Sequence, residues 1–212
     1  MTDKSGSPPC GIYLRIDDFS NMLDVIGHIR KMAFAINRGS GYEKNMSVVE
    51  LVLDGENTEK VTDLVQIVKD QGLVCIIGGK TDKLELLNAD GLIVKNADQI
   101  DKARTALGED AIIGAKAGGK KEAEKIINTP LDLVLLPADP NLITWWSANS
   151  EILSVADGNG ITPNNCTPLA SAGASFVNAS HYLLNHPKDV TQATINILDI
   201  LEKAAKSKRS LN

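Results

Sequence analysis

The sequence predicts an α/β protein, a single compact (β/α)8 TIM barrel. Two observations carry this. Short apolar runs alternate in order with segments of helical periodicity, eight times along 212 residues. The composition is 43% hydrophobic yet only 4% aromatic, so the core must be built of Ile, Leu, Val and Ala, the residues that fill barrel layers. Repeated β-α units imply parallel strands joined by right-handed crossovers. An open doubly wound sheet is the alternative arrangement.

The elements follow in order. Residues 11–16 (GIYLRI) read as the first strand, and residues 20–31 as its helix, with Val25, Ile26 and Ile29 on one face and Ser20 or Asn21 as cap. Residues 34–47 then form a long connection containing Gly39 and Gly41, of the kind that is often functional in a compact domain. Residues 48–53 (VVELVL) are the second strand, and residues 58–69 its helix, with Val61, Leu64, Val65 and Val68 on one side. Residues 73–77 and 81–87 make the third pair, 91–94 and 98–107 the fourth, and 111–115 and 120–127 the fifth. Residues 131–136 and 142–149 make the sixth. The seventh strand is 152–156, its helix lies within 162–172, and Thr162-Pro163 and Thr167-Pro168 both look like helix starts. One turn is expected first, then the main helix from Pro168, because proline deep inside a helix would break it. The eighth strand is 174–178, and a long helix over 190–205 closes the pattern. The barrel thus occupies residues 11–205. Residues 1–10 and 206–212 offer little to bury and are expected as disordered tails.

Other classes are excluded or disfavoured. No apolar run approaches the ~20 residues of a membrane helix. Residues 1–10 (MTDKSGSPPC) lack the apolar core of a secretory signal, so a cytoplasmic location is expected. Cys10, Cys75 and Cys166 are odd in number and far apart, and read as core residues rather than disulfide or zinc ligands. A net charge of −5 argues against nucleic acid.

In a barrel, ligands sit at the C-terminal ends of the strands. After strand seven come Gly158 and Gly160, and after strand eight Ser180 and His181, which can open a short extra helix. Together these two loops form the usual phosphate site of such barrels. The alternative is that the glycines only make the turn. Gly78-Gly79-Lys80 reads as a Gly-rich turn after strand three. Lys80, Lys95 and Lys116 can converge on one mouth and favour an anionic ligand, or each be simply solvated. Asp98 reads as the N-cap of helix four or as a metal ligand. Trp145 and Trp146 are adjacent and point about 100° apart on a helix, so one packs on the barrel.

Three stretches resemble the thiamine-phosphate synthase family. Residues 88–94 (NADGLIV) are similar to the family's "GADGVHL", and residues 107–114 (LGEDAIIG) to its "LGPDLIIG". Residues 155–174, through Gly158-Asn-Gly-Ile-Thr-Pro-Asn-Asn165, are similar to "VAIGGITPEN…AAGAD". The resemblance implies a (β/α)8 barrel that joins an aminopyrimidine pyrophosphate to a thiazole phosphate. Diphosphate leaves, a pyrimidine carbocation forms and the thiazole nitrogen attacks, so positioning and charge stabilisation dominate. The resemblance also implies Mg²⁺ held by aspartates on the pyrophosphate.

Departures from the family pattern fall on the pyrophosphate side. The family's "QLREKG" becomes residues 50–55 (ELVLDG), without Arg or Lys. "IND" becomes Ile77, Gly78 and Gly79, so one metal aspartate is replaced by Gly79. "GQED" becomes Lys95, Asn96, Ala97 and Asp98, and "GxSxH" becomes residues 114–118 with Lys116. Each such loss costs ~10²-fold or more in rate. The resemblance leaves Lys116 and Asp98 as expected catalytic residues, with Asp98 also the Mg²⁺ ligand. It leaves Gly158, Gly160, Ser180 and His181 as the expected phosphate-binding residues. The expected partner is a phosphorylated small molecule, with a second copy of the chain as a further possibility. The alternative is a non-catalytic paralogue that binds a phosphorylated metabolite at the strand seven and eight site.

Overall fold

The computed structural model describes residues 9–38, 46–53, 58–79 and 88–209. Eight strands close into one parallel barrel in sequence order: β1 (Gly11–Ile16), β2 (Val48–Leu53), β3 (Val74–Gly79), β4 (Gly91–Val94), β5 (Ile112–Lys116), β6 (Leu133–Pro137), β7 (Leu153–Asp157) and β8 (Phe176–Asn178). β8 closes against β1 with Gly11 opposite Phe176 and Tyr13 opposite Asn178. The fold predicted from alternation is therefore correct, and the open sheet is excluded.

Alternation of side chains along each strand builds two separate apolar layers. Tyr13, Val48, Ile76, Ile93, Leu133, Leu135, Val155 and Phe176 fill the barrel interior. Residues one position away, including Ile12, Leu14, Val49, Leu51, Ile77, Val134 and Val177, face outward and meet the helices. Each large side chain buried in this way contributes about 1.5–3 kcal/mol.

The helices cover the outside. α1 (Met22–Arg38) starts from Asn21, whose side chain accepts from the Asp24 N–H and whose carbonyl accepts from Val25. Asn21, not Ser20, is thus the cap. Val25, Ile29, Met32, Ala33 and Ile36 keep one face buried to the helix end. That face carries α1 to Arg38, so residues 34–38 are helix rather than loop, and residues 39–45 lie outside the described part. α2 (Thr58–Asp70) buries Val61, Leu64, Val65 and Val68. The helix expected over residues 81–87 lies outside the described residues.

Next come a 3-10 turn (Ala97–Gln99), α3 (Ile100–Leu107), α4 (Lys120–Ile126) and α5 (Pro140–Asn149). α5 starts earlier than expected because Asp139 caps it, accepting from Asn141, and Pro140 takes the first position. α6 (Cys166–Ser171) begins two residues before Pro168. Proline is tolerated there because the N–H groups of the first turn have no intrahelical partner in any case. α7 (Ser180–Leu184) is the short extra helix, and α8 (Val190–Arg209) extends past residue 205, so residues 206–209 are helical rather than tail. At the other end Cys10 is already buried.

Trp146 is buried on the barrel and donates its indole N–H to the Ile152 carbonyl, while Lys120 lies over the Trp145 ring. Burial raises the three cysteine thiols, Cys75 to about 12 and Cys166 to about 11, so they behave as core groups. No helix among the described residues is long and apolar enough to cross a membrane.

Candidate functional site

The charged side chains converge at the C-terminal mouth. Arg15, Glu50, Lys116, Asp157 and Asn178 each lie two residues beyond an inward-facing residue of β1, β2, β5, β7 and β8, so all turn inward. The Arg15 Nε donates to Glu50 Oε2 at 2.6 Å, and its Nη1 donates to Asp157 Oδ1 at 3.1 Å. Lys116 Nζ lies 2.9 Å from Asp157 Oδ2, and Asn178 Nδ2 donates to Asp157 Oδ1 at 2.7 Å. The carboxylates are deep, with only 5% of the Glu50 and 7% of the Asp157 side chain exposed. Lys116 is 60% exposed and reaches in from the solvent side.

Electrostatics follow from this packing. Burial alone would raise the Asp157 carboxyl. The hydrogen bond from Lys116, the Arg15 charge and the Asn178 amide outweigh burial and hold it below the usual carboxylate value. Arg15 is held more firmly protonated than usual; burial opposes this, but Glu50 and Asp157 prevail. Beneath them Tyr13 is fully buried, and burial together with the nearby Glu50 charge pushes the ionisation of its hydroxyl far up.

Gly78 makes room for this arrangement. It lies within β3 opposite Val52, not in a turn, and a Cβ there would come within 2.2 Å of Glu50 Oε1. Gly79 also lies in the strand, at a φ of +87°, where a side chain would strike the Leu53 carbonyl. The expected Gly-rich turn is therefore strand, because β2 approaches too closely for any side chain.

The expected site residues separate into groups. Lys116 enters the mouth. Lys95 is exposed after β4, with its backbone N–H donating to Gln99 Oε1, and Lys80 lies outside the described residues. Asp98 is exposed within the 3-10 turn; Gln99, not Asp98, stands at the N-cap of α3. No three His, Cys, Asp or Glu side chains come together as metal ligands among the described residues.

Gly158 and Gly160 follow β7, and neither has a positive φ. A Cβ at Gly160 would meet only open space, whereas one at Gly158 would touch Ala138. The turn is fastened by Asn165, which donates to the Gly160 carbonyl and accepts from the Thr162 N–H. Ser180 has a structural engagement. Its hydroxyl donates to Asn178 Oδ1 and accepts from the Arg15 N–H at 2.6 Å, continuing the β1–β8 seam past the end of β8. His181, the next residue of α7, is exposed.

Sequence reasoning missed Arg15, Glu50, Asp157 and Asn178 as site residues. A signal was present: Arg15 and Glu50 interrupt strands that are otherwise apolar, in register with Tyr13 and Val48.

A closed parallel barrel with ionised groups gathered at the C-terminal ends of its strands places this chain among the (β/α)8 proteins. No family model matches the chain. It is 30% identical over 151 residues to the thiamine-phosphate synthase of Hyphomonas neptunium, an alignment covering 64% of this chain and 68% of that protein. It is 25% identical over 167 residues to the thiamine-phosphate synthase of Caldicellulosiruptor saccharolyticus, covering 72% and 75%. The fold is similar to that of the thiamine phosphate pyrophosphorylase from Pyrococcus furiosus, with a TM-score of 0.71 at 16% identity over 92% of this chain and 96% of that one. The chain belongs to the thiamine-phosphate synthase family.

Proposed function

We propose that this chain acts in thiamine biosynthesis, joining an aminopyrimidine pyrophosphate to a thiazole phosphate at the barrel mouth. The observation that carries this reading is the 30% identity to a thiamine-phosphate synthase over 151 residues. In the reaction the C–O bond to diphosphate breaks and the leaving group takes the electron pair. The thiazole nitrogen then donates its lone pair to the pyrimidine methylene carbon. Lys116 supplies positive charge toward the leaving diphosphate, and Asp98 stands on the same side. The turn at Gly158 and Gly160, with Ser180 and His181, orients the thiazole phosphate.

The family resemblance implies Mg²⁺. The described residues do not fit a protein-held ion, since no three His, Cys, Asp or Glu side chains among them, Asp98 included, group as ligands.

A second reading, a non-catalytic paralogue that binds a phosphorylated metabolite, is favoured by one observation. The two inner cations, Arg15 and Lys116, are already matched by Glu50 and Asp157. The test is an assay with both substrates and Mg²⁺, alongside binding of each substrate alone. Product formation that disappears in Asp98→Ala rejects the binding-only reading. Binding of thiazole phosphate without product rejects the synthase. If neither substrate raises the melting temperature, the synthase reading and a thiamine-related ligand for the second reading both fail.

A further inference from the structure

Asp157 is coordinated as a bound anion would be. Its Oδ1 accepts from Arg15 Nη1 at 3.1 Å and Asn178 Nδ2 at 2.7 Å, and its Oδ2 meets Lys116 Nζ at 2.9 Å and Arg15 Nη2 at 3.5 Å. A guanidinium, an ammonium and an amide around one pair of oxygens is the donor set that recognises a phosphate monoester. The donors come from three strands: Arg15 from β1, Lys116 from β5 and Asn178 from β8. The anion they hold belongs to a fourth, β7. A carboxylate only 7% exposed is expensive to bury, and its burial here is offset by these four contacts. Lys116, 60% exposed, is the side of the cradle open to solvent. Glu50 holds Arg15 from the opposite side through Nε, so the guanidinium stays in place when its outer nitrogens lose Asp157.

We propose that Asp157 is an internal competitor for the anionic group of the ligand: it fills a cradle made by Arg15, Lys116 and Asn178, and so makes the mouth reject small free oxyanions. A ligand must bring further contacts of its own to displace the carboxylate, which makes Asp157 a specificity-determining residue. The identity of the ligand rests on the function proposed above; the cradle itself rests only on the contacts around Asp157.

The probe is inorganic phosphate, titrated calorimetrically into the wild-type chain and into Asp157→Asn, which keeps the shape and removes the charge. The expected result is phosphate binding about tenfold tighter or more in Asp157→Asn, as two charge-assisted partners are released. That gain must disappear when Lys116→Met is added. A folded Asp157→Asn that binds phosphate no more tightly than wild type overturns the proposal, as does a gain that survives Lys116→Met. If Asp157→Asn does not fold, the smaller Asp157→Ser is read in the same way. Wild-type protein that neither binds nor couples the thiamine precursors would remove the proposed function and leave this result standing.

Discussion

The barrel interior and the barrel mouth are two residues apart on the same strands, yet they differ in almost every physical respect. Tyr13, Val48, Val155 and Phe176 pack into a plug that excludes water. Two positions further along come Arg15, Glu50, Asp157 and Asn178, which hold one another by charge and hydrogen bonds. The plug is stabilised by burial, which is non-directional and tolerant of volume-conserving exchange. The mouth depends on matched partners, and removing one member leaves another buried and ionised. The lower rim, on the N-terminal side of the strands, makes the contrast sharper. There Asp90 accepts from the Cys75 N–H and pairs with Lys69, while Asp132 accepts from Ile113 and pairs with Arg104. Those carboxylates finish strand ends; the ones at the mouth face each other across the barrel.

The largest expected effect breaks the mouth and leaves the plug intact. Arg15→Met removes the cation paired with Glu50 and one of the two cations paired with Asp157, and both carboxylate side chains are almost wholly buried. It should cost about 3–5 kcal/mol, as much as emptying a core position. Urea unfolding measures this. A loss below about 1 kcal/mol, in the range of a surface pair, would show that the carboxylates are solvated and that the contrast is false.

A smaller effect tests the boundary between the two regions. Gly78→Ala places a Cβ where Glu50 Oε1 now lies. Overpacking of this kind should cost about 1–3 kcal/mol. Adding Glu50→Gln should not recover it, because the amide has the same shape, whereas adding Glu50→Ala should recover part of it. Equilibrium unfolding of the single and double variants decides the matter; full additivity would mean that the two residues do not touch.

How much of this was legible in the sequence follows from the same contrast. The plug and its outer layer obey period two and the described helices obey period 3.6, so eight strands, their order and most of the core could be read from residues alone. α1 outran its expected end because Ala35 and Ile36 continue the buried face with small or single apolar residues. The mouth was harder. Lys116 was found because it stands at a strand end in a family motif. Arg15 and Glu50 lie within the strands, where a charged residue reads as an interruption until the register places it against a partner from another strand. Ser180 was identified by its position, but its hydroxyl bonds, to Arg15 and Asn178, are made across the β1–β8 closure that no local pattern encodes.

Lys116 carries the smallest expected effect on stability, and its pH dependence is the informative part. The side chain is 60% exposed, so water screens its pair with Asp157, and Lys116→Met should cost no more than about 1 kcal/mol at neutral pH. Asp157 is nonetheless held below the usual carboxylate value, with Lys116 the first of the groups that lower it against burial. A carboxyl depressed in the folded state stabilises that state above its unfolded pKa, and this contribution is lost as the pH falls through the lower, folded value. Removing Lys116 lets burial act with less opposition, so Asp157 takes up its proton at higher pH. The acid limb of the stability curve should therefore begin nearer neutrality in Lys116→Met than in wild type, and Asp157→Asn should remove that displacement. Urea midpoints measured from pH 7 downward test it. Identical acid limbs in wild type and Lys116→Met would mean that Arg15 and Asn178 alone hold the carboxylate, and that Lys116 belongs to the solvent rather than to the mouth.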